Sequence, residues 1–223
     1  DTQRRLYSKI KEEILIELET KNISVQNAAV RMLRLLQASE GLFNFEQNRL
    51  ESGKLDYLVN KLKNTNEKVI VWSRFQEVTN VLGRLFPNEC VVYNGDKTKT
   101  YKTLAKWSFN GVKDKEDYQY YKDLQKKAKG FQFGPGESRI FAGVIDLRSA
   151  AGMDLHENCW NQYFMSFSFM NSANMQAAYR LIRLGQKADK VNTVFLVGEK
   201  TIESRALSTI FNKYNTVLHI LDG

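Results

Sequence analysis

Five short apolar runs separated by long amphipathic segments constrain this chain more than any other feature. They lie at Val69 to Trp72, Cys90 to Tyr93, Ile140 to Ile145, Tyr163 to Phe167 and Val191 to Val197. Short, continuously apolar runs suit strands covered on both faces, and parallel strands need crossover connections of a dozen residues or more. The alternation therefore predicts an α/β fold, a mainly parallel sheet flanked by helices. Ahead of the first run, Leu6, Ile10, Ile14 and Leu18 repeat at helical spacing within Arg5 to Leu18, and Ser24 to Leu36 does the same. A third helix carries Leu55, Leu58, Val59 and Leu62. The chain is thus expected to comprise an N-terminal helical arm, residues 1–50, and a strand-and-helix body, residues 51–223.

Composition narrows the class. With 223 residues, 43% hydrophobic and 26% charged, the chain holds enough apolar side chains for one well-buried core. No apolar run approaches the roughly 20 residues that cross a bilayer, and no basic-then-apolar leader opens the sequence. A soluble, cytoplasmic protein is the expectation. Cys90 and Cys159 lack C-x-x-C spacing, and only His156 and His219 could join them, so no disulfide framework or metal site is expected.

Charge points to a polyanionic partner. Lysine and arginine exceed aspartate and glutamate by 33 − 25 = 8. Ten lysines against four acids fall between Lys97 and Lys129, among Tyr101, Trp107, Phe109, Tyr118, Tyr120 and Tyr121. Flexible lysines suit sequence-independent phosphate contact, and aromatic rings can stack on bases. For Trp107 and Phe109 a core position is the preferred reading. The stretch from about 111 to 136, bounded by glycines and helical over Asp117 to Lys129, reads as a basic helical insertion. Lys122 and Lys126 on it are candidates for contact with a nucleic-acid backbone.

The segment QAAYRLIRLGQ, Gln176 to Gln186, carries the most specific chemistry. Read as a helix ending at Gly185, it sets Arg180 and Arg183 three residues apart on one face, seated by Leu181, Ile182 and Leu184. Arginine is suited to phosphate because its planar, permanently charged donors bind two oxygens at once. This pattern resembles motif VI of the Swi/Snf-type ATPases among the superfamily 2 helicases. Other segments agree, in order. KVIVWSRF, Lys68 to Phe75, resembles motif IV, and IDLRSAAGMDL, Ile145 to Leu155, resembles motif V. NGDKTKTYKTLAKWSF from Asn94, VFLVGEKTIESRAL from Val194 and SGKLDYLVNKL from Ser52 resemble further family segments. Lys102 or a neighbour stands in for a usual arginine, and Ser149 and Ala150 for a usual double glycine. Those departures imply a divergent member, bacterial or viral.

The resemblance implies a RecA-like fold and the second, C-terminal lobe of a two-lobed motor. No G-x-x-x-x-G-K-[ST] loop or Asp-Glu-x-His box is present, and these belong to the family's first lobe. A chain beginning at Asp1 is then expected to be a piece of a longer protein. By resemblance, Arg183 is the arginine finger with Arg180 its partner, and Gln176, Gly152 and Asp154 serve the nucleotide. Ser73, Arg74, Lys97, Lys99, Arg148 and Ser149 are the nucleic-acid contacts. ATP with Mg2+ is held mainly by the absent first lobe, and that lobe and DNA, duplex or single-stranded, are the expected partners. The isolated chain should be inactive. A superfamily 2 RNA helicase lobe and a non-catalytic nucleic-acid-binding adaptor lobe are the alternatives; the Gly-Gln ending favours DNA, and the intact Gln176, Arg180 and Arg183 favour catalysis.

Overall fold

A computed structural model of the chain describes residues 2–19, 25–42, 52–94, 107, 138–145, 155–156, 159–168 and 170–209. Two compact units are present, Asp1–Val59 together with Val197–Gly223, and Asn60–Leu196.

The second unit is built on a five-stranded, wholly parallel sheet: β1 (Lys68–Ser73), β2 (Cys90–Tyr93), β3 (Ile140–Val144), β4 (Cys159–Phe164) and β5 (Asn192–Phe195), in the order β2-β3-β1-β4-β5. The winding runs to β2 and β3 on one side of β1 and to β4 and β5 on the other. Val71 pairs with Ala142 on β3 and with Tyr163 on β4, so β1 is hydrogen-bonded along both edges. That explains its unbroken apolar run: Val69 to Trp72 are at most 3% exposed. The expected strand at Tyr163 to Phe167 is displaced, starting instead at Cys159. Asn161 and Gln162 within it are polar, and their side-chain amides are satisfied by neighbouring segments. Asn161 donates to Glu67 at 2.6 Å and accepts from Asn192 at 2.9 Å.

Helix α4 (Gln76–Leu85) crosses from β1 to β2, burying Val78, Thr79, Val81 and Leu82. Glu77 in its first turn and Arg84 in its last oppose the helix dipole. The core gathers Ile70, Trp72, Tyr93, Phe141, Leu155, Phe164 and Leu181. Phe141 meets Trp72 and Trp107 edge-on at 5.8 and 5.7 Å. Trp107 is fully buried, the core position preferred for it. Gly143 is required there, since a Cβ would lie 2.6 Å from the Trp72 ring and 2.8 Å from the Phe141 ring.

The first unit contains α1 (Thr2–Glu19), α2 (Val25–Ser39) and the start of α3 (Gly53–Lys63). Tyr7, Leu35 and Ala38 form its small core with Ile10, Ile14 and Ile202 against them. The Tyr7 hydroxyl accepts the Ile202 N–H at 2.6 Å, at the start of α6, residues 202–209. At the end of α2, Lys54 Nζ lies 2.6 Å from both Glu40 Oε1 and Glu203 Oε1. All three side chains are buried, and Glu203 Oε2 also accepts the Gly198 N–H at 2.8 Å. Burial first, and Glu203 beside it, push the Glu40 carboxyl up to about 8, although Lys54 opposes the rise. The two carboxylates raise the Lys54 ammonium above its ordinary range despite its burial.

Candidate functional site

Two groups of candidate residues are described, at different places on the sheet. Ser73 and Arg74 stand at the carboxyl end of β1, where open α/β sheets place their ligands. Ser73 is fully buried and its hydroxyl is engaged: it lies 3.1 Å from Ser166 Oγ and accepts the Phe75 N–H at 3.0 Å. Ser166 Oγ also accepts the Arg74 N–H at 2.8 Å. The pair of serines thus shapes the exit from β1, and a contact between Ser73 and a nucleic acid requires this loop to open. Arg74 is half-buried, and desolvation lowers its guanidinium pKa. Beyond β2, Asn94 is tied back to α4 by Thr79 Oγ1 at 2.7 Å and Asn80 Oδ1 at 2.9 Å.

The arginines lie elsewhere. Helix α5 (Asn171–Ala178) presents Ala173, Asn174, Ala177 and Ala178 to the core. Asn174 fixes its entry by accepting the Ser168 N–H and donating to the Ser168 carbonyl, both at 2.7 Å. Gln176 is exposed on this helix. The helix ends at Ala178, short of Arg180 and Arg183, which corrects the expectation that one helix carries both to Gly185. Turns replace it: the Arg180 N–H bonds the Ala177 carbonyl and the Leu181 N–H the Ala178 carbonyl, both at 3.1 Å. Of the three expected seating residues only Leu181 is buried; Ile182 is 45% and Leu184 100% exposed. Gln186 supplies the physical reason. Its Nε2 donates to the Leu181 carbonyl at 3.1 Å, taking the place of the backbone N–H that a continuing helix would offer, and to the Cys159 carbonyl at 2.9 Å. Gly185 turns the chain at φ +92, a left-handed conformation that favours glycine.

The outcome leaves Arg183 exposed and Arg180 half-buried on a turn packed by the amino end of β4. The turn also meets the chain at Leu155, the last residue of the Ile145 to Leu155 segment, and at His156. Leu155 N–H donates to the Arg180 carbonyl at 3.3 Å, and His156 Nε2 lies 3.3 Å from where a Gly185 Cβ would sit. The fold is one already solved elsewhere. It is similar to the crystal structure of the C-terminal part of the Fun30 ATPase domain, with a TM-score of 0.52 and 19% identity over 87% of this chain. The chain spans 56% of the length of that structure. No protein-family model matches the chain, and no curated protein sequence does. At this identity the likeness establishes the α/β, RecA-like architecture.

Gly152, Asp154, Lys97, Lys99, Arg148, Ser149, Lys122 and Lys126, with the basic insertion, lie outside the described residues. Among the described residues no group of three His, Cys, Asp or Glu side chains could hold a metal ion. No described helix is long and apolar enough to cross a membrane. Sequence reasoning missed Gln162, Ser166 and Asn174, and named Gln186 only as the end of its motif, although all four side chains shape the two candidate regions. For Gln162 the sequence carried no signal, since the expected strand began one residue later, at Tyr163.

Proposed function

We propose that this chain is the second lobe of a Swi/Snf-type superfamily 2 ATPase, an ATP-dependent DNA translocase or helicase. The observation that carries the reading is the exposed Arg183, three residues from Arg180, on a turn of a RecA-like fold similar to part of an ATPase domain. ATP, with its Mg2+, binds mainly to the first lobe. As the γ-phosphate leaves ADP, negative charge spreads over its oxygens, and Arg183, reaching across the closed interface, stabilises that charge. Such a finger accelerates hydrolysis by about 10³ to 10⁵. Arg180 assists on the same phosphate or an acidic loop of the first lobe, and Gln176 joins nucleotide to interface. Contacts beyond β1 and in the motif V segment grip the DNA backbone as closure and opening alternate.

In the full protein, Arg183→Ala is expected to abolish DNA-stimulated ATP hydrolysis while ATP binding persists. Undiminished hydrolysis would overturn the assignment. Stimulation by RNA and not by duplex DNA would replace the translocase reading with that of an RNA helicase.

A further inference from the structure

We infer that Gln162 and Gln186 are positioning residues that fix the turn bearing Arg180 and Arg183, a role that rests on the finger reading of Arg183.

The two amides clamp the turn at both ends. Gln162, fully buried in the middle of β4, accepts from Trp72 Nε1 at 3.1 Å, and its Nε2 donates to Thr193 Oγ1 at 2.8 Å and to the Ala178 carbonyl at 3.4 Å. Ala178 is the last residue of α5, where helix gives way to turn. At the far end, Gln186 Nε2 holds the Leu181 and Cys159 carbonyls, while its Oε1 accepts the Ala188 N–H at 3.1 Å. Each amide therefore uses both N–H groups and its oxygen, and each ties the turn to β4.

A buried amide costs free energy unless all of its partners are in place, so Gln162 is satisfied in only one arrangement of strand and turn. Between the clamps only Leu181 is anchored in the core, and Ile182, Arg183 and Leu184 are exposed. Apolar packing thus holds the turn at a single point, which fixes position without fixing rotation. The two amides, beside the backbone bond from Leu155 to the Arg180 carbonyl, add restraints at both ends of the turn, and with them bear on the direction in which Arg183 leaves the surface. Misplacement of a catalytic group by about 1 Å can cost on the order of 100-fold in rate.

The test pairs Gln186→Met with Gln162→Met, which keep volume and remove the amide. Hydrogen exchange on this chain should accelerate about tenfold at the Ile182 and Gln186 amides, the scale of one lost hydrogen bond. Amides of Ile70, Val71, Phe141 and Ala142 in β1 and β3 should stay within about twofold in Gln186→Met. In the full protein, kcat for ATP should fall about tenfold with KM unchanged. Equal acceleration throughout the sheet in Gln186→Met would show a general stabilising role and overturn the proposal. Wild-type kcat in both variants, with Arg183→Ala inactive, would overturn it while the finger reading stands. Full turnover by Arg183→Ala would instead remove the finger reading, and this role with it.

Discussion

Replacing Glu40 by Gln is expected to flatten the pH dependence of stability of the N-terminal unit. Glu40 is fully buried beside Lys54 and Glu203; Lys54 meets its Oε1, and its Oε2 has no hydrogen-bond partner among the described residues. With its carboxyl pushed from 4.5 up to about 8, the folded chain keeps a proton there that the unfolded chain has already released. The cluster is then neutral, one carboxylate against one ammonium. Between these two values the folded state binds more protons, so stability falls as pH rises and levels off above about 8. At about 1.4 kcal/mol per pH unit, the loss between pH 5 and pH 7.5 is on the order of 3 kcal/mol. Gln mimics the protonated acid, offering an oxygen to Lys54 and an N–H to Glu203, and cannot ionise. Urea unfolding followed by far-UV circular dichroism should report this change, because α1 and α2 contribute much of the helix. The advantage of the variant should grow with pH over this range. A constant difference between variant and parent would refute the reasoning and mean that Glu40 is ionised throughout.

Within the sheet, Gly143→Ala should lower stability by about 1 to 3 kcal/mol, because its Cβ would press on the Trp72 and Phe141 rings. An unchanged urea midpoint by fluorescence would mean that those rings have room to move. Cys90 and Cys159 should resist iodoacetamide at pH 8 in the native chain and react after unfolding, since burial pushes both thiols up to about 12. Rapid native alkylation of Cys159 would contradict its burial.

The sheet was legible because parallel strands advertise themselves. Ile70 and Phe141 sit in short continuous apolar runs set between amphipathic segments, and β1, β2 and β3 fall where those runs lie. The start of β4 was not legible, since Asn161 and Gln162 look like loop residues until their cross-strand partners are known. The same physics hid the end of α5. Leu181, Ile182 and Leu184 suggest a helical seat, whereas side-chain amides from Gln162 and Gln186 stop the helix and leave Leu184 in solvent. Lys54 offered no signal of its role. Charged residues are normally solvated, and only the fold brings Glu40 and Glu203, distant in sequence, onto one ammonium. Side-chain hydrogen bonding between remote residues is thus the information that hydropathy and spacing lacked.

The central claim is that this chain supplies the second half of a shared ATPase site. Its most direct test is ATP hydrolysis by the chain alone and after addition of a separately expressed first lobe, with and without duplex DNA. The account predicts no turnover by the chain alone and DNA-stimulated turnover by the pair, lost again when the chain carries Arg183→Ala. Turnover by the isolated chain, or by the pair with Arg183 replaced, would contradict it.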